Sequence, residues 1–204
     1  MTSLKSALKR IFRKELFITV VSGLPRSGTS MMMSALKEGG MLLLVDGIRE
    51  PDGNNPKGYF EYELVKKLPK GNINWLSAAK GKAVKIISAL LEFLPEDYQY
   101  RVIFMERDID EILASQKRML SRSEVVEEKP LSDKALRQSY QAHLEQVKSF
   151  LSKKDWLKVM FVSYNQVLND PEGEFRRVAR FLDNLVEPSA MSKVVDPELY
   201  RERH

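Results

Sequence analysis

The chain has 204 residues, 43% hydrophobic and 30% charged, the balance of one globular domain, which excludes a fibrous repeat or a wholly disordered chain. With no cysteine and only His143 and His204 as histidines, a disulfide framework, a thiolate zinc site, a cysteine nucleophile and an imidazole metal cluster are excluded. Lys+Arg 33 against Asp+Glu 28 gives +5; Lys5, Lys9, Arg10, Arg13 and Lys14 supply that whole excess, so the basic balance marks one terminal segment and not a nucleic-acid-binding surface.

In chain order, residues 3–14 set Leu4, Leu8, Ile11 and Phe12 against those cations at helical spacing. This is an amphipathic helix that either packs on the domain or makes peripheral contact with an anionic membrane surface. No apolar run approaches the roughly 18 residues of a membrane span, and no cleavable leader is evident, so the expected location is cytoplasmic. Glu15 to Ser22 is a β-branched apolar run ending at Gly23, the pattern of a buried parallel strand. A helix is expected from Thr29 to Glu38, closed by Gly39 and Gly40, and a second strand from Met41 to Val45. The stretch 46–58, DGIREPDGNNPKG, is a long irregular loop of the kind that carries chemistry. Lys82 to Ile87 and Arg101 to Met105 read as strands, the latter leading into a helix over 108–120. Residues 122–131, with Glu124, Glu127 and Glu128, read as a mobile loop. Ser132 caps a long helix with Leu136, Tyr140, Leu144, Val147 and Leu151 on one face, Trp156 to Val162 is the last strand, and a helix over 172–182 follows Pro171. Residues 184–204 read as a C-terminal tail. Helices alternating with apolar strands predict one domain over 1–204 of α/β class, a three-layer α/β/α fold with a mostly parallel sheet and ligand at the carboxyl ends of its strands.

Two motifs carry anion chemistry. Gly23-Leu24-Pro25-Arg26-Ser27-Gly28-Thr29-Ser30 joins a strand to a helix with the spacing that wraps backbone N–H groups around a phosphate. Thr29 stands where a nucleotide-triphosphate loop places lysine, and the cation sits inside the loop as Arg26. Its guanidinium suits a phosphate or sulfate, with Ser27, Thr29 and Ser30 adding hydroxyl donors. The second motif is Arg107 at a strand end and Ser115 two helical turns on, spaced to grip one anion.

Together these motifs resemble the sulfotransferase family, with PRSGTS closest to the 5′-phosphosulfate loop of tyrosylprotein and small bacterial sulfotransferases. Arg107 and Ser115 resemble the family's 3′-phosphate pair. Lys85 stands where the family places a lysine near the transferring sulfonate, and Tyr164, in Ser163-Tyr164-Asn165 followed by Asp170-Pro171, resembles the late element beside the adenosine. The resemblance spans about residues 17–183. It implies a P-loop-like sulfotransferase fold, 3′-phosphoadenosine 5′-phosphosulfate as donor, no required metal, and a small-molecule, glycan or peptide acceptor. The donor loop would comprise Pro25, Arg26, Ser27, Gly28, Thr29 and Ser30. For the general base, Asp46 is the first choice, with Glu50 and Glu61 behind it, since neither histidine is placed to serve. Two other readings stay open on sequence: a P-loop kinase or nucleotide hydrolase with a degenerate loop, and a non-catalytic module that binds 3′,5′-phosphoadenosine.

Overall fold

Four apolar runs form one parallel sheet in the computed structural model, which describes residues 17–49, 58–120 and 132–195. They are β1 (Ile18–Gly23), β2 (Ala83–Lys85), β3 (Tyr100–Glu106) and β4 (Leu157–Ser163), in the order β2-β1-β3-β4. Every residue of β1 is buried, as a strand with neighbours on both edges and helices on both faces must be. Edge strand β4 instead exposes Lys158 and Phe161. The register sets Val21 beside Lys85 and Gly23 beside Met105, which brings the carboxyl ends of β2, β1 and β3 to one level. Because β1 connects toward β2 on one side and β3 lies on the other, the β1/β3 boundary is the topological switch point where such sheets bind ligand.

The helices are α1 (Thr29–Glu38), α2 (Leu76–Ala79), α3 (Ile109–Leu120), α4 (Asp133–Leu151), α5 (Tyr164–Asn169), α6 (Pro171–Phe181) and α7 (Pro188–Ser192), with 3-10 turns at Glu63–Lys70 and Ser88–Phe93. Strand alternation divides the core. Val21, Ile103, Met105 and Val162 pack with Met32, Leu36, Phe175 and Val178 on the face of α1, α6 and α7. Ile18, Val20, Val102 and Phe104 pack with Leu76, Leu91, Val147 and Leu151 on the face of α2 and α4. Two caps fix helix starts as their sequences require: Ser132 Oγ accepts from Ala135 N–H at 3.3 Å, and Asp170 Oδ1 accepts from Gly173 N–H at 2.9 Å.

Two expectations change. Met41 to Val45 is not a strand: only a bridge from Leu43 to Ala83 forms, because β2, its neighbour, pairs over just three residues. The stretch after Asn184 does not begin as a tail: Leu185, Val186, Met191 and Val194 join the core. Arg101, paired with Asp183 at 2.5 Å and bonded to the Phe181 carbonyl, ties the turn before α7 to β3. His143, mid-helix in α4, is half buried and hydrogen-bonded to Ser88 Oγ at 2.8 Å. The basic segment 3–14, Glu50, the loop 122–131 and the last residues from 196 lie outside the described residues.

Candidate functional site

Strand β1 ends in a glycine for two reasons. Gly23 has φ +147, and a Cβ there would lie 2.5 Å from Ser27 Oγ and 2.6 Å from the Met105 carbonyl. At the other end of the loop Gly28 has φ +99, and its Cβ would meet the Tyr164 ring at 2.5 Å, so only glycine lets the loop lie against that ring. Between them Arg26 is held left-handed at φ 72, a conformation that costs an ordinary side chain energy and clusters at ligand sites. The loop runs directly into α1, whose first N–H groups lack partners in the helical ladder and carry the positive end of its dipole.

The electrostatics match an anion. Ser27 is 1% exposed, and among the described residues its Oγ has no hydrogen-bond partner; a buried hydroxyl so placed is costly unless a ligand oxygen satisfies it. The loop's shape, its one cation and this hydroxyl therefore fit a phosphate or sulfate group.

The two sequence motifs meet here. Arg26 Nε donates to Ser115 Oγ at 3.0 Å across 89 residues of sequence. Arg107 Nη1 donates to the Arg26 carbonyl at 3.2 Å, and the Arg107 guanidinium lies 4.4 Å from the centre of the Tyr164 ring. Ser115 is 8% exposed and Tyr164 9%, so both side chains that flank Arg26 and Arg107 are buried. Burial pushes the Tyr164 phenol above its ordinary pKa, with Arg107 opposing. Glu111, also buried, holds Arg107 Nε at 2.8 Å and Asn165 Nδ2 at 3.0 Å.

A second cluster forms where β2 ends. Lys85 Nζ donates to the Tyr59 carbonyl at 2.6 Å and to Ser30 Oγ at 3.4 Å, and lies 3.9 Å from Glu61 Oε1. Glu61 in turn accepts from Arg49 Nη1 at 2.9 Å, and the Arg49 guanidinium stacks 3.4 Å over the Tyr59 ring. Burial disfavours the ammonium and brings Lys85 down from 10.5 to about 8, with Glu61 partly countering.

Of the residues singled out in sequence, Arg26, Ser30, Lys85 and Glu61 gather around the start of α1, with Arg107, Ser115 and Tyr164 alongside. Pro25 is exposed on the loop and Thr29 opens α1. Asp46 occupies a different position: its Oδ2 accepts from Glu63 N–H at 2.5 Å and its Oδ1 from Ile48 N–H at 3.1 Å, so it anchors the loop to the start of a 3-10 turn. Sequence reading gave no site role to the Tyr59 carbonyl, Asn165 or Glu111. Asn165 enters only as a neighbour of Tyr164 in the Ser163-Tyr164-Asn165 element, and Glu111 is signalled only by its spacing of four from Arg107.

The profile of the sulfotransferase family matches residues 55–188, a span that begins beyond the loop of residues 23–30 and includes Lys85, Arg107, Ser115 and Tyr164. No curated protein is significantly similar in sequence. Among solved structures, the sulfotransferase domain of the Synechococcus PCC 7002 olefin synthase is similar with TM-score 0.48 and 14% identity, over 91% of this chain and 82% of that one. An unliganded sugar kinase from Janibacter sp. HTCC2649 is similar with TM-score 0.47 and 16% identity, over 86% of this chain and 98% of that one.

Proposed function

The chain belongs to the sulfotransferase family, and we propose that it transfers a sulfuryl group from 3′-phosphoadenosine 5′-phosphosulfate to a hydroxyl or amine acceptor. One observation carries the choice of donor: Arg26 in the loop after β1 and Ser115 in the helix after β3 are joined at 3.0 Å. A donor phosphorylated at both its 3′ and 5′ positions needs two anion sites within one nucleotide's reach, and the adjacency of the Arg26 loop and the Arg107–Ser115 segment at the β1/β3 switch point supports that reading.

In this reading the N–H groups at the start of α1, Arg26 and Ser27 hold the 5′-phosphosulfate, and Arg107 with Ser115 holds the 3′-phosphate. The acceptor oxygen or nitrogen attacks sulfur, the bond from sulfur to the bridging oxygen breaks, and 3′,5′-phosphoadenosine leaves. Negative charge grows on that oxygen, where Lys85 and the α1 N-terminus stabilise it. Glu61 takes the acceptor proton; among the described residues it is the carboxylate beside Lys85, whereas both Asp46 oxygens already accept backbone N–H groups. The acceptor is a small molecule, a glycan or a peptide side chain.

Calorimetric titration tests the donor site. Micromolar binding of 3′,5′-phosphoadenosine, unchanged by chelating magnesium and lost in Arg107→Ala, is the expected result. Magnesium-dependent binding of ATP without binding of the bisphosphate would replace this reading with a kinase.

A further inference from the structure

Beside Arg107 lies a buried acid that the transfer chemistry does not use. Glu111 is 4% exposed and contacts Arg107, the residue that holds the 3′-phosphate dianion in the donor reading. A carboxylate there repels the ligand, and its own burial is costly. Its contacts give it a different purpose. Oε2 accepts from Arg107 Nε at 2.8 Å, and Oε1 accepts from Asn165 Nδ2 at 3.0 Å. One oxygen thus holds the arginine of the β3–α3 junction and the other holds the β4–α5 corner, which also carries Tyr164.

We propose that Glu111 is a positioning residue for the 3′-phosphate: it fixes the Arg107 guanidinium against Tyr164, and this directional effect outweighs its repulsion of the phosphate. The inference rests on the donor reading above. Arg107 is gripped from three directions: Glu111 at Nε, the Arg26 carbonyl 3.2 Å from Nη1, and the Tyr164 ring 4.4 Å from Cζ. An arginine immobilised in this way meets an anion without losing side-chain entropy on binding. Without the carboxylate, the long side chain swings and the Asn165 corner loosens together.

The two effects have opposite signs, so binding decides between them. Wild type, Glu111→Gln and Glu111→Ala are titrated with 3′,5′-phosphoadenosine and, separately, with adenosine 5′-phosphate; thermal unfolding of the near-isosteric glutamine variant reports its fold. The expected result is a clear wild-type preference for the bisphosphate. Both variants then lose about tenfold or more in bisphosphate affinity and little in monophosphate affinity, so that the preference collapses. Tighter bisphosphate binding in Glu111→Gln overturns the proposal, because charge repulsion is then the larger effect. Equal weakening for both ligands also overturns it, because that marks a general structural role. A wild type that prefers the bisphosphate, with an unchanged glutamine variant, removes the role of Glu111 alone; a wild type without any preference removes the donor reading as well.

Discussion

Arg26→Ala is expected to lower turnover by about 10²-fold or more, the loss that accompanies removal of one preorganised charge donor at a developing anion. That corresponds to roughly 2.7 kcal/mol of transition-state stabilisation. Its geometry argues for so large an effect: the loop spends conformational energy to hold this residue at φ 72, and Ser115 Oγ at 3.0 Å orients its Nε. Alanine tolerates the same backbone as well as arginine does, so unfolding should change little while turnover falls. Arg26→Lys should recover part of the loss, since it restores charge without the planar fork. Single-turnover release of 3′,5′-phosphoadenosine measures this directly, and near-wild-type turnover in Arg26→Ala would remove the residue from the chemistry.

Lys85→Met should cost on the order of 10²- to 10³-fold in turnover with little change in stability. The buried ammonium is held near a pKa of about 8 by desolvation, so keeping it charged at neutral pH costs folding about 3 kcal/mol. Methionine relieves that cost but leaves the Tyr59 carbonyl without its 2.6 Å donor, a loss of about 1–3 kcal/mol. These effects nearly offset, and the unfolding midpoint should shift by only a few degrees. The pH dependence follows from the same shift. Lys85 is mostly charged at pH 7 and loses its charge as pH rises through about 8, so kcat/KM should fall along that limb, and Lys85→Arg should abolish the limb. Stability should move the other way. Between about 8 and 10.5 the unfolded chain binds a proton that the folded chain does not, so the lysine's contribution to stability rises with pH. A pH profile of Lys85→Arg that still bends near 8 would assign the limb to another group.

Much of this architecture was legible because short-range physics dictates it. The β-branched run before Gly23 lacks the polar–apolar alternation of a half-exposed strand and became a fully buried central strand, and α1 begins at Thr29 and ends at Glu38 as read from its flanking glycines. Met41 to Val45 has the same apolar composition yet forms only one bridge; a strand is made by its neighbour, and β2 is too short to pair with the rest. The 3-10 turns at Glu63–Lys70 and Ser88–Phe93 escaped notice since such turns lack a long hydrophobic period. In the site, residue types were readable but partners were not. Ser115 was expected to share an anion with Arg107, and the structure shows its Oγ bonded to Arg26, a contact between segments 89 residues apart that no local pattern encodes. Glu111 was visible only as a neighbour of Arg107. Its bond to Asn165 exists because β4 lies beside β3 in the sheet, and strand order is a property of the whole chain.

The central claim is that sulfur moves through this site, and the most direct measurement follows that atom. Wild-type protein is incubated with donor carrying labelled sulfur, a panel of phenolic, aliphatic-alcohol, amine and glycan acceptors, and a magnesium chelator. The account predicts acceptor-dependent transfer of label with stoichiometric formation of 3′,5′-phosphoadenosine, abolished by Arg26→Ala. Donor left intact with every acceptor, together with magnesium-dependent consumption of ATP, would contradict it.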